Sequence, residues 1–176
     1  MFNKILVAID QSNLAEHVVE IAIAQAKTTG GNLLLLHVID VQEKGFPHLE
    51  GHTSGNYNPE FFNAEAQSSD QHWKSYAQMG LHALQAYRER AIAAGVVAKC
   101  TQTPGNLVDN PGETICAIAQ EWEADLIIIG HRGLSGVKEL IQGSVSNHVF
   151  HHAPCSILSV QHPIMIKTEP TPAHTG

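Results

Sequence analysis

Hydrophobic and polar positions follow two kinds of pattern along the chain, and their alternation predicts the order of the elements. Short apolar runs rich in β-branched residues indicate buried strands. The segments between several of them have apolar residues three or four positions apart, as at Leu14, Val18, Ile21 and Ala22, which is typical of amphipathic helices. The pattern predicts strands at about 3–9, 32–39, 96–101, 125–129 and 155–160, and helices at about 13–28, 70–94, 112–122 and 144–152.

This alternation predicts an α/β fold, because strands separated by helices form right-handed βαβ units and a parallel sheet covered by helices on both faces. A chain of 176 residues is long enough for one domain with a substantial core. We place that domain at 1–160 and interpret 161–176 as a flexible C-terminal tail. The long loop at 41–69 is interpreted as a mobile insertion, with a lid over a bound ligand as the alternative.

Composition and charge exclude several classes of protein. The net charge of −7 and the pI of about 5.9 argue against binding to nucleic acid or to an acidic membrane. No apolar run approaches the ~20 residues of a spanning helix, and the first residues lead straight into a strand, which leaves no room for a signal peptide. Three widely spaced cysteines fit neither a disulfide framework nor a zinc pattern. We therefore expect a cytoplasmic protein without nucleic-acid or membrane partners.

A glycine-rich stretch after the fourth strand is the strongest candidate for a binding site. Gly130 and Gly133 are followed, after nine residues, by Gly143 and Ser144. Glycines let a ligand approach the backbone, and Ser144 as a helix N-cap leaves the next amides, such as that of Val145, free for an anion. The alternative is that the glycines only make turns. Their place at the carboxyl end of a parallel strand, where such sheets bind ligands, favours a nucleotide phosphate.

The spacing of these glycines distinguishes the stretch from two common phosphate-binding motifs. It is neither a P-loop nor a dinucleotide fingerprint. The pattern G-x2-G-x9-G-[ST] resembles the ATP-binding branch of the universal stress protein family. The acidic turn that ends the first strand (4–12), the second strand (34–40) and the last strand (154–160) are similar to that family too. The resemblance implies a doubly wound sheet of five parallel strands in the order 3-2-1-4-5.

The resemblance also implies which residues contact an adenine nucleotide. Ala8 and Ile129 would line the base or ribose pocket, and the backbone of Val38 would read the adenine edge. Asp10 would contact the ribose, or a divalent ion through water, whereas from its position alone it could simply order the turn. Arg132 could pair with phosphate oxygens. The predicted nucleotide-binding residues are Ala8, Asp10, Val38, Ile129, Gly130, Arg132, Gly133, Gly143, Ser144 and Val145.

The function that follows is ATP binding, with Mg²⁺ or Mn²⁺, by a nucleotide-responsive regulator of the stress response that acts on an unidentified protein partner. AMP and ADP are alternative ligands. The rival functions are a slow ATPase and an interaction module that binds AMP or cyclic AMP. No catalytic residue is assigned, since hydrolysis needs an oriented water and a base. His131 is the only nearby candidate base, and like Lys138 it is secondary to the residues above.

Two further features carry predictions. The apolar last strand, 157–160, would lie at a sheet edge, and the resemblance implies a homodimer through it, whereas the tail could instead cover that edge. His148 and His152 have the i,i+4 spacing of some metal sites, but no third ligand is evident, so the metal ligands stay unknown. Solvated surface histidines are the alternative. His37, inside a buried strand, is expected to be a hydrogen-bonded core residue.

Overall fold

The computed structural model describes residues 1–39, 59–104, 110–131 and 144–161, and no side chain is described within 59–72. These residues form five strands and four helices that alternate along the chain. In order they are β1 (Lys4–Ala8), α1 (Ala15–Thr29), β2 (Asn32–Ile39), α2 (Pro59–Ala93), β3 (Ala98–Pro104), α3 (Pro111–Glu121), β4 (Leu126–Gly130), α4 (Ser144–His152) and β5 (Ser156–Val160).

All five strands pair in parallel, in the order β3-β2-β1-β4-β5, which confirms the predicted sheet. The central strand β1 lies between β2 and β4, so Ala8 is aligned with Leu36 on one side and with Ile129 on the other. The connection from β1 leads to one end of the sheet, and the connection from β4 leads to the other. The carboxyl ends of β1 and β4 therefore form the switch point at which sheets of this type bind ligands.

The two faces of the sheet carry two separate hydrophobic clusters, because side chains alternate along each strand. Ile5 and Val7 of β1 point to the face covered by α1 and α2. Leu6 and Ala8 point to the face covered by α3 and α4. Strands buried on both faces explain the continuous apolar runs seen in the sequence.

Helix ends agree with local sequence signals. The helix α1 ends at Gly30, whose φ of 72° lies in the left-handed region and whose amide donates to the carbonyl of Ala26 at 2.8 Å. The helix α3 begins with Pro111 directly after its cap residue Asn110. None of the helices that the structure describes has both the length and the apolar character that a membrane span requires.

Several predicted boundaries need correction. The helix α2 begins at Pro59 rather than at about residue 70, so the predicted loop at 41–69 is helical from residue 59 onward. The residues 59–69 contain no glycine, and proline is tolerated at a first helical position, so nothing in this stretch stops the helix. Strand β3 is displaced towards the C-terminus and reaches Pro104, where it pairs with Ile39. Residues 40–58 and 162–176 lie outside the described part of the chain.

Candidate functional site

Three of the predicted pocket residues share one face of the sheet near its carboxyl edge. Ala8 of β1 is aligned with Ile129 of β4, and both belong to the cluster that faces α3 and α4. Val38 of β2 belongs to the same cluster. All three side chains are buried, with exposed fractions of 8%, 5% and 9%. They form an apolar surface beside the switch point between β1 and β4.

The start of α4 adjoins this surface. Val145 is half-buried and packs against the cluster that contains Ala8 and Ile129. Ser144 is exposed and is the first residue of the helix rather than the cap residue before it. The first amides of a helix have no partner within it and point outward along the helix axis. Apolar side chains and hydrogen-bond donors are thus neighbours at one edge of the sheet.

The beginning of α3 packs against the beginning of α4. The Asn110 side chain caps α3 by accepting a hydrogen bond from the amide of Gly112 at 2.9 Å, and its amide nitrogen donates to the carbonyl oxygen of Ser144 at 3.3 Å. A Cβ on Gly112 would lie 2.8 Å from Cβ of His148 and 2.9 Å from the carbonyl oxygen of Val145. Only glycine therefore lets the two helices approach this closely.

Sequence reasoning missed Asn110 and Gly112, although the sequence contains a signal for Asn110. Asn110 stands directly before Pro111, and asparagine followed by proline is a helix-start pattern. The pattern predicts the cap. It does not predict that the capping side chain also reaches the first residue of α4, because that contact depends on the packing of the two helices.

Gly130 has a packing role in the structure. A Cβ on Gly130 would lie 3.0 Å from Cδ2 of Leu14 and 3.3 Å from Cγ2 of Val18, both on the α1 side of the sheet. The missing side chain thus lets the start of α1 lie against the end of β4. Three other predicted residues of the glycine-rich stretch, Arg132, Gly133 and Gly143, lie outside the described residues, as does Lys138.

His131 directly follows β4, and its backbone amide donates to the carbonyl oxygen of Val160 at 2.7 Å. Its ring meets Phe150 of α4 edge-on, with 6.4 Å between the ring centroids. The ring atom Nδ1 is buried and has no hydrogen-bond partner among the described residues. The ring thus lies on the α4 side of the sheet, the side that carries the apolar pocket surface.

Asp10 orders the turn after β1. Its Oδ1 atom accepts hydrogen bonds from the amide of Ser12 at 3.1 Å and from the Ser12 hydroxyl at 2.5 Å. The Ser12 hydroxyl oxygen accepts in turn from the amide of Leu14 at 3.3 Å, just before α1 begins. Of the two roles considered for Asp10, the ordering of the turn is therefore present, and contact with a nucleoside stays a prediction.

Asp10 also borders a cleft on the opposite face of the sheet, between α1 and α2. The cleft has a volume of about 220 Å³, and its polar lining includes Ser12, His37 and Tyr87. Burial raises the pKa of the Tyr87 phenol, Glu16 and Asp10 raise it further, and Arg90 opposes them, so the phenol stays protonated at neutral pH.

His37 is the buried polar residue of this cleft, with 2% of its surface exposed. Its Nδ1 lies 2.8 Å from Nε2 of Gln102, which also donates to the carbonyl oxygen of Ala77 at 3.0 Å. Because an amide nitrogen is a donor, Nδ1 of His37 accepts this bond. The expectation of a hydrogen-bonded core histidine is confirmed.

The described residues offer no closed metal centre, and burial makes two of the three thiols unreactive. No three His, Cys, Asp or Glu side chains in the described ranges are grouped so that they could hold a metal ion. Cys100, Cys116 and Cys155 are free. Burial raises the pKa of the Cys116 and Cys155 thiols, which keeps both protonated at neutral pH.

Comparison with known proteins assigns this arrangement to a family. The sequence model described as "Universal stress protein family" matches residues 1–161. The chain is 32% identical over 164 residues to the universal stress protein Sll1388 of Synechocystis, and the alignment covers 92% of this chain and 99% of that protein. It is 33% identical over 161 residues to the universal stress protein YxiE of Bacillus subtilis, with 92% and 100% of the two chains covered.

Solved structures share the fold. The universal stress protein UspA from Lactobacillus plantarum superimposes with a TM-score of 0.64 at 23% identity and covers 90% of this chain and 97% of its own. A family member from Arabidopsis thaliana with AMP bound has a TM-score of 0.55 at 21% identity, with 92% and 93% of the two chains covered. A universal stress protein in complex with cAMP has a TM-score of 0.57 at 20% identity, with coverage of 91% and 97%. At these identities the likeness establishes the fold alone.

Proposed function

Since the chain belongs to the universal stress protein family, we propose that it binds ATP at the carboxyl edge of its sheet and acts as a nucleotide-responsive regulator of the stress response. The base and ribose would lie on the apolar surface of Ala8, Val38 and Ile129. The phosphates would lie at the start of α4, where the amides of Ser144 and Val145 are the donors. Residues Gly130, Arg132, Gly133 and Gly143 would complete the phosphate site, and Asp10 would contact the ribose.

One observation carries the proposal. The apolar surface and the helix start belong to the same face of the sheet and meet at its switch point. A nucleotide needs both environments at once, because its base is largely apolar and its phosphates are anions that favour the amino end of a helix. The AMP and cAMP bound by the two related proteins support an adenine nucleotide as the ligand.

A divalent ion, Mg²⁺ or Mn²⁺, would accompany ATP and neutralise part of its phosphate charge. Such ions prefer carboxylate, water and phosphate oxygens, and Asp10, two residues after the end of β1, would supply a carboxylate oxygen. The bonds from Ser12 hold one oxygen of Asp10 in place, which orients the carboxylate towards a fixed position. The residues present therefore fit an ion shared with the nucleotide better than an ion held by the protein alone.

We propose that ATP persists on the protein rather than being turned over quickly. Fast hydrolysis needs a group that orients water and accepts its proton. His131 is the candidate among the described residues, but its ring packs edge-on against Phe150 and its Nδ1 is buried. A slow rate suits a regulator that presents its nucleotide state to a protein partner in the cytoplasm, and we propose that it does so as a homodimer formed through β5.

Ser144 offers a direct test, because two substitutions separate its hydroxyl from its amide. Proline is well tolerated at the first position of a helix, so Ser144→Pro removes both groups while α4 still forms. Ser144→Ala removes the hydroxyl alone. If the amide binds phosphate, calorimetry with ATP and Mg²⁺ should show affinity reduced about tenfold or more in Ser144→Pro, the usual effect of losing a hydrogen bond to a charged group.

Titrations with ADP, AMP and cAMP on the same proteins distinguish the ligands. Equal ATP affinity in wild type and Ser144→Pro would reject the phosphate site at α4, and cAMP or AMP binding more tightly than ATP would support the interaction module instead. Single-turnover hydrolysis tests the last alternative. A rate of about 1 s⁻¹ or faster that is lost in His131→Ala would identify an ATPase rather than a regulator.

A further inference from the structure

The C-terminal half of α4 carries two histidines stacked on one side of the helix. His148 and His152 are four residues apart, so their side chains are neighbours on the helix surface. Their ring centroids are 4.1 Å apart, and the ring planes are inclined by only 18°. His151 meets the ring of His152 edge-on at 6.4 Å and takes no part in the parallel stack. His148 and His152 thus form a stacked pair that does not include His151.

A hydrogen bond determines which nitrogen of His152 is available. Nδ1 of His152 lies 2.9 Å from the carbonyl oxygen of His148. Because a carbonyl oxygen only accepts, Nδ1 carries the hydrogen and donates. In the neutral ring the lone pair then lies on Nε2. Metal-binding histidines have this arrangement, in which the ring N–H that does not bind the metal donates to a carbonyl or carboxylate and orients the ring.

From this geometry we propose that His148 and His152 together chelate one borderline divalent cation, such as Cu²⁺, Ni²⁺ or Zn²⁺, on the surface of α4. Imidazole is a preferred ligand of these ions. The site lies in the last turns of the helix, where the dipole favours positive charge. On binding the ion, both rings would tilt from their nearly parallel stack so that the two lone pairs converge on it. Water completes the coordination, since the described residues contain no group of three ligands.

This site is independent of the proposed nucleotide site. The ion that accompanies ATP prefers oxygen ligands at the carboxyl edge of the sheet, whereas the stacked pair offers nitrogen ligands from the middle and the last residue of α4. Chelation links two successive turns of the helix. An ion that binds the folded helix more tightly than the unfolded chain therefore stabilises the folded helix.

The test is calorimetric titration of the full chain with CuCl₂, NiCl₂ and ZnCl₂, each alone, in a buffer that does not bind metals. His148→Gln and His152→Gln should each weaken the tightest site about tenfold or more. His151→Gln is the matched control, because it makes the same chemical change in the same helical turn and should leave that site unchanged. Cu²⁺ should bind more tightly than Ni²⁺ or Zn²⁺.

A second measurement on the wild-type protein avoids any effect of the substitutions on folding. In NMR spectra that observe histidine ring nitrogens, one equivalent of Zn²⁺ should shift the Nε2 signals of His148 and His152 together. The proposal is overturned if those two signals stay in place while other histidines shift. It is equally overturned if His151→Gln weakens the tightest site as much as His152→Gln does.

Discussion

Gly80 shows how one missing side chain sets the distance between a helix and the sheet. It lies in α2 opposite His37 of β2, and a Cβ at this position would be 2.7 Å from both Nδ1 and Cε1 of the His37 ring. The ring cannot move away freely, because Gln102 binds its Nδ1 and is itself anchored to α2 through the carbonyl of Ala77. The glycine, the histidine and the glutamine therefore form one packed unit.

Gly80→Ala should consequently destabilise the protein, although the same change inside most helices stabilises it by about 1 kcal/mol. Overpacking usually costs about 1–3 kcal/mol, and the gain in helix propensity offsets about 1 kcal/mol of it. We therefore expect a net loss of up to about 2 kcal/mol, seen as a lower urea midpoint with an unchanged slope. The double variant with His37→Ala should recover part of the loss because the ring that clashes is gone. A Gly80→Ala protein more stable than wild type would contradict this account.

Single residues were only partly predictable from the sequence. The burial of His37 follows from the apolar strand around it, and the sequence sufficed to predict that it is hydrogen-bonded in the core. Its partner Gln102 could not be identified, because the two are brought together only by the pairing of β2 with β3. Similarly, the glycine motif predicted that Gly130 belongs to the binding site, whereas its contact with Leu14 depends on how α1 packs.

Among the elements, the predicted bounds were correct where the sequence pattern was clear. The strand β2 and the helix α4 have the predicted bounds. The first is a run of apolar residues that only His37 interrupts, and the second is bounded in the sequence by Gly143 and Pro154. The strand β3 was misplaced since its second half, Thr101 to Pro104, is polar. The faces of β3 at the sheet edge are only partly covered, since its second half is half-buried to exposed. A strand that is not buried on both faces needs no continuous apolar run, and this is why the sequence signal ends before the strand does.

The contact between α3 and α4 yields a prediction at this scale. Asn110→Ala removes both the cap of α3 and the bond to the carbonyl of Ser144, so it should lower stability by about 1 kcal/mol, the usual cost of losing a cap. Asn110→Ser keeps a capping oxygen, but its side chain is too short to reach Ser144. Its stability should therefore stay close to that of wild type in thermal unfolding.

Nucleotide titrations of the same two variants show whether the bond to Ser144 matters for binding. If α3 positions the start of α4, Asn110→Ser should bind ATP more weakly than wild type although it is as stable. Full affinity in Asn110→Ser would show that the bond has no part in binding. A loss of stability in Asn110→Ser as large as in Asn110→Ala would contradict the assignment of the cap.

At the scale of the whole molecule, topology was the most predictable property. The alternation of strands and helices determined a parallel sheet, and the family resemblance supplied the strand order that the structure confirms. The proposed position of the site at the switch point follows from that order. What the sequence could not reveal is the division of the predicted residues between the faces, with Ala8 on the α3 and α4 side and Asp10 bordering the cleft between α1 and α2.

The open edge of β5 carries the last prediction, which concerns the proposed homodimer. The carbonyl of Val160 accepts the amide of His131 at 2.7 Å, so the peptide groups of Val160 point towards β4. Because these groups alternate in direction along a strand, those of Ile157 and Ser159 point away from β4, to the side where no described strand pairs. If a second copy lies antiparallel along β5, the outward amides and carbonyls of each copy can hydrogen-bond with those of the other.

Ser159→Pro should therefore separate dimers without unfolding the monomer. Proline at 159 removes an outward amide and leaves the ladder between β4 and β5 intact, which is the setting in which sheets tolerate proline. Ser159→Ala is the control, since it keeps the amide and should stay dimeric. Light scattering at tens of micromolar would detect association with a dissociation constant of about 1 µM, which corresponds to about 8 kcal/mol. A monomeric wild type would refute the dimer. A Ser159→Pro protein as dimeric as wild type would argue that the copies meet elsewhere, since the substitution removes one of the two outward amides, those of Ile157 and Ser159, that β5 offers to an antiparallel ladder.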